Sequence, residues 1–130
     1  MTYGNKFIIF ILLLSFLFIV GCEEKVKNFQ YGLYDGYVIK GINGSIMLYK
    51  EDKPILIEEK NYQIKEIKYN NDVVCLRLLN DKYYMIYYVD GSIFGPFTKE
   101  SLDKTIKEDS TLIFTKDFQD ITKMEGLEYE

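Results

Sequence analysis

The chain has 130 residues, which sets the expectation of one domain. It carries 16 Lys plus Arg against 20 Asp plus Glu, with no His and no Trp. The acidic balance argues against a nucleic-acid partner, which requires a clustered basic face. The missing His removes any Ser–His or Cys–His nucleophile–base pair.

The first element is a leader. Lys6 is the single charge before Cys22, and the apolar run Phe7–Val20 has 14 residues. A spanning helix needs roughly 20 apolar residues, whereas a signal peptide has a charged start, an apolar run of about 7–15 residues and a small residue at the cleavage site. Lys6, Phe7–Val20 and Gly21 meet those conditions in order. Ile19-Val20-Gly21-Cys22 then looks like a bacterial lipobox, with cleavage after Gly21 and lipidation of Cys22. Two or three acyl chains anchor stably where one does not, each buried methylene contributing about 0.8 kcal/mol. The alternative is an uncleaved N-terminal anchor with an incidental Cys. Both readings place the body outside the cytoplasmic membrane. Without residues 1–21, 15 basic and 20 acidic side chains remain.

Residues 22–30 read as the lipidated Cys and a polar tether. The segment 31–116 reads as a β-rich domain. Asp35-Gly36 and Asn43-Gly44 are hairpin turn signals, flanking strands at Tyr37–Lys40 and Ser45–Lys50. Glu51-Asp52-Lys53-Pro54 reads as a turn and Ile55–Glu58 as the next strand. Ile64–Tyr69, Val73–Leu79, Tyr83–Val89 and Ser92–Phe97 continue an antiparallel meander through short turns. Val73–Leu79 and Tyr83–Val89 are apolar on both alternations apart from Arg77, which makes them the central strands. Ile64 and Ile67 are out of phase by one, which predicts a β-bulge. Cys75, in the apolar "VVCLRLL", reads as a buried small hydrophobe, with no disulfide partner once Cys22 is acylated.

"FTKESLDKTIKE" predicts one helix over 98–107. Thr98 is an N-cap, Glu100 lies in the first turn, and Phe97 and Leu102 stand at the two positions of a hydrophobic staple. "STLIFTK" reads as a last strand and 117–130 as a polar C-terminal tail.

Two resemblances follow from these elements. "GYVIK", "YQIKEIKYNNDVVCLRLL" and "YYMIYYVDGSIFGPFTKESL" are similar to a family of small uncharacterised lipoproteins of Gram-positive bacteria. In that family a lipobox precedes a V-x-E-I strand and a late Tyr-Gly-Pro segment; Ser101 stands where the family favours an acid. The resemblance implies a fold and a location. Tyr84–Asp90, Gly95-Pro96-Phe97-Thr98, Leu102 and Thr111-Leu112-Ile113-Phe114 look like a GYF-type adaptor module. That resemblance implies binding of proline-rich peptides on Tyr87, Tyr88 and Phe97. The structural account of the same four residues is a strand end, a staple and a cap.

No zinc-ligand spacing, phosphate-binding glycine loop or calcium loop occurs in the sequence, so no metal, cofactor or catalytic residue is assigned. The expected fold is α+β, mostly β: an antiparallel meander sheet with one C-terminal helix packed on it, preceded by an N-terminal signal and lipidation helix. The expected role is a lipid-anchored, extracytoplasmic protein of the cell membrane. It would be a non-catalytic binding or accessory protein, held to membrane lipid through Cys22, with a protein or peptide partner in the envelope. A GYF-like peptide binder is the alternative, and a carboxylate- or Tyr-based enzyme the third.

Overall fold

The computed structural model describes residues 27–58 and 61–130. The leader, Gly21 and Cys22 lie outside the described residues. Two five-stranded antiparallel sheets and one helix make up the fold. The first sheet has the order β10-β1-β2-β3-β4, from β1 (Phe29–Gly32), β2 (Tyr37–Ile42), β3 (Ser45–Lys50), β4 (Lys53–Pro54) and β10 (Glu128–Tyr129). The second has the order β8-β7-β6-β5-β9, from β5 (Ile64–Tyr69), β6 (Val73–Leu78), β7 (Tyr83–Tyr87), β8 (Ile93–Phe97) and β9 (Gln119–Asp120). The meander therefore divides in two, and the division falls between β4 and β5.

Local sequence accounts for the hairpins. Asp35-Gly36 and Asn43-Gly44 both take positive φ at the two central turn positions, the geometry that matches strand twist in a tight hairpin. Glu51 and Asp52 do the same before β4, so the expected turn at 51–54 closes by Asp52 and the strand begins at Lys53. The expected strand Ile55–Glu58 does not form a ladder. Instead, Ile55 donates its N–H to the Leu48 carbonyl and accepts the Tyr62 hydroxyl at 2.8 Å. Tyr62 also accepts the Leu48 N–H at 3.2 Å, so a side chain replaces the missing strand partner.

Alternation in the second sheet feeds two cores. Val74, Leu76, Leu78, Tyr84, Ile86 and Tyr88 meet Phe29, Tyr37, Ile39 and Leu48 of the first sheet. Val73, Cys75, Tyr83 and Met85 face the other way and bury Leu102 of helix α1 (Lys99–Glu108) together with Leu112. Apart from Arg77, β6 and β7 are apolar on both alternations because they are covered on both faces. The expected bulge lies between Ile64 and Glu66; it lets Ile64 and Ile67 both point into the inter-sheet core. Thr98 caps α1 and accepts from the Ser101 N–H at 3.1 Å, while Ser101 Oγ accepts from the Thr98 N–H at 2.9 Å. Ser101 thus performs the reciprocal bond usually made by Glu or Gln.

Two segments depart from expectation. The tether ends earlier than residue 30: Phe29 is a buried strand residue whose ring occupies the space beside Gly41, where an added Cβ would lie 2.3 Å from the ring. The C-terminal segment 117–130 is not a polar tail. β9 pairs with β5, β10 pairs with β1, and Ile121 is completely buried between them. Its isolated apolar residues lacked a strand-like pattern because each strand is only two residues long. The expected strand at 110–116 is a turn and irregular chain outside both sheets; the edge of β5 is taken by β9 instead.

Ile121→Ala is expected to cost about 2–5 kcal/mol, the range for truncating a buried aliphatic side chain. Val89→Ala, at an exposed turn position, should stay within about 0.5 kcal/mol. Urea denaturation of both variants checks this; equal small effects would mean that the C-terminal segment is not part of the core.

Candidate functional site

The three aromatics named from the sequence do not form one surface. Tyr88, the residue after β7, is 1% exposed and packs at 5.3 Å against Tyr37 in the inter-sheet core. Tyr87 projects from the opposite face and stacks edge-on with Phe94 at 5.7 Å. Phe97 lies across from Tyr83, four positions along β7 from Tyr87 and hence about 13 Å away. The two-residue period of the strand separates Tyr87 from Tyr88, and the hairpin separates both from Phe97. Phe97 instead lines a different cleft of about 520 Å³ with Arg77, Tyr83, Pro96 and Lys99. Arg77 is held there by Glu66 and by Asp81 at 2.9 Å.

Tyrosines do converge elsewhere. Tyr37, Tyr88, Tyr34, Tyr69 and Tyr31 form a continuous chain of ring contacts, with successive centroids 5.3, 5.8, 6.5 and 5.9 Å apart. The Tyr31 and Tyr69 hydroxyls share a hydrogen bond. Tyr88 contributes a buried hydroxyl with no hydrogen-bond partner among the described residues.

Two clefts open beside this chain of rings. One, of about 410 Å³, is bounded by Tyr34, by the β5 end and β5–β6 turn (Lys68, Tyr69, Asn71, Asp72), and by the segment 111–119. The other, of about 420 Å³, contains Tyr31, Asp120, Lys123 and Glu125. Lys116 and Gln119 line both. Asn70 builds the wall between the turn and the segment 111–119. Its Oδ1 accepts the Asp72 and Val73 N–H groups at 2.8 and 2.9 Å, and its Nδ2 donates to the Ile113 carbonyl at 3.1 Å. That bond substitutes for the ladder that 110–116 lacks.

The electrostatics of the site favour neutral hydroxyls and paired charges. Burial, and next the hydrogen bond to Tyr31, push the Tyr69 phenol up to about 12. Burial also pushes Tyr62 to about 12 and the Cys75 thiol to about 12. Lys68 lies 3.7 Å from Asp117 and above the Phe114 and Phe118 rings at 5.0 and 5.8 Å. Cys75 is therefore the buried hydrophobe expected, and Arg77 on the same face is engaged by carboxylates rather than by the thiol. Among the described residues, no group of three or more His, Cys, Asp or Glu side chains is placed to hold a metal ion.

The sequence reading missed Tyr34, Tyr69 and Asn71. The available signal was positional: Tyr34 precedes the Asp35-Gly36 turn, and Asn70-Asn71-Asp72 is a turn, the kind of segment that carries function on a rigid scaffold. Comparison with protein-family models, with curated proteins and with solved structures returns no match.

The raised phenols set a pH expectation. An unfolded Tyr ionises near about 10, whereas Tyr62 and Tyr69 keep their protons to about 12. As pH rises through that interval the unfolded state loses protons that the folded state retains, so stability falls. Below about pH 9 these groups leave it flat. Tyr69→Phe should reduce the alkaline slope of the denaturation midpoint; an unchanged slope would show that Tyr69 is not shifted. In the folded Cys22→Ser chain, Cys75 should resist alkylation until denaturant is added.

Proposed function

We propose that this chain is a membrane-anchored bacterial lipoprotein of the non-catalytic binding or accessory type. Its domain stands on the extracytoplasmic side, and acylated Cys22 is the link to membrane lipid. The observation that carries the reading is the order Lys6, Phe7–Val20, Gly21, Cys22. The apolar run has the length of a signal sequence rather than a span, and the cysteine stands where a lipid-transferring enzyme would need its acceptor.

The fold agrees with such an arrangement. Only six residues, 23–28, separate Cys22 from β1, and such a segment reaches at most about 20 Å. Asn28 is fixed at one end of the first sheet by accepting the Asn43 N–H at 2.9 Å. That end, with the Asn43-Gly44 turn, would lie nearest the lipid. A binding role is supported by the cleft lined by Tyr34 and Tyr69.

Expression in a bacterium that processes lipoproteins, with a clickable palmitate analogue, tests the anchor. The mature chain should begin at an acylated Cys22 by mass spectrometry and fractionate with membranes. Cys22→Ser should abolish the label. A mature chain that retains residues 1–21 without label would overturn the proposal.

A further inference from the structure

We infer that the cleft between Tyr34, the β5–β6 turn and the segment 111–119 binds a neutral oligosaccharide, presented at the end of the domain remote from the tether. This rests on the binding reading above and names its ligand class and its face.

Position comes first. β1 starts beside Asn28 and the Asn43-Gly44 turn, and runs away from them to the turn that carries Tyr34. The six-residue strand β2 spans the same distance in return, about 20 Å. The β5–β6 turn lies at the far end too, since Tyr88 donates its N–H to the Asp72 carbonyl and its ring packs on Tyr34. The cleft thus opens at the end opposite the chain's entry into the fold.

The lining then selects the chemistry. Asn70 is fully engaged in holding the wall. By contrast, the Asn71, Thr115 and Gln119 side chains border the cleft with no hydrogen bond among the described residues. Amide and hydroxyl groups held free around a concave surface are suited to a ligand dense in hydroxyls. Tyr34 adds an aromatic platform that is 42% exposed, yet braced from behind by Tyr69 and Tyr88. The C–H faces of a pyranose ring stack on such a platform by dispersion.

Charge argues for neutrality in the ligand. The cleft holds Lys68 and Lys116 against Asp72 and Asp117, a formal sum of zero, and Lys68 is already committed to Asp117 and two rings. A polyanion would find no cationic excess. The volume of about 410 Å³ falls in the range of small-molecule clefts, roughly 300–1,000 Å³.

The full chain in detergent, titrated with tri-N-acetylchitotriose and cellotriose, tests the inference. With no Trp in the sequence, the emission is that of the tyrosines, and comparison with the Tyr34 variant isolates the contribution of the site. At least one sugar should give a saturable change that is insensitive to added salt. Tyr34→Ala should weaken it about tenfold, as expected for loss of a stacked ring, and Asn71→Ala, at an exposed turn position free of internal bonds, should weaken it without disturbing folding. Phe94→Ala, at a side chain that does not line the cleft, should leave it unchanged. Silence with both sugars, or binding untouched by Tyr34→Ala and Asn71→Ala, would overturn the inference. So would poly-L-glutamate or a proline-rich peptide binding in place of the sugars with the same variant dependence. The Cys22→Ser chain separates the two proposals: it should still bind sugar, so a failed anchor and a failed cleft give different results.

Discussion

The paired strands β6 and β7, buried on both faces, are the constraint on which the rest of the molecule depends. Every side chain along them except Arg77 is assigned to one of two cores by the alternation of the strand. A slip of one residue would send Val74, Leu76, Tyr84 and Ile86 toward the helix and Cys75 and Met85 toward the first sheet, so the register is strongly specified. The bulge in β5 belongs to the same constraint. It keeps Ile64 and Ile67 in the inter-sheet core while Glu66 emerges on the helix side to meet Arg77.

The C-terminal segment ties this double-sided sheet to its partner. Within a few residues the chain pairs with β5, buries Ile121 and then pairs with β1, where Phe29 lies opposite Tyr129. Such ordering of distant segments carries a conformational entropy cost, offset here by burial of Ile121 and by the packing of Met124 and Leu127 against the inter-sheet core. The irregular segment before β9 is held at one end by Leu112 under the helix and at the other by β9. One wall of the tyrosine-lined cleft is thereby positioned by the two cores rather than by a ladder of its own.

Much of the fold was legible in local sequence. The positive-φ turns at Asp35-Gly36 and Asn43-Gly44, the cap at Thr98 and the bulge near Ile64 are decided by neighbours in the chain. The candidate site was much less legible. Tyr83, Tyr84, Tyr87 and Tyr88 lie close together in the chain, yet the strand period divides them between two faces. Tyr31, Tyr34 and Tyr69 are spread over 38 positions, and only the packing of the two sheets brings them into contact.

Alone, the sequence determined the β-rich class, the hairpin turns, the one helix and the order of residues in the leader, because these depend on side-chain period, backbone preference and the length of an apolar run. The tertiary structure decided that the meander splits into two sheets, that 117–130 belongs to the core and that a row of tyrosines lines a polar cleft. Those outcomes rest on pairings between residues as far apart as Phe29 and Tyr129. No local pattern encodes them, since two-residue strands have no periodicity to read.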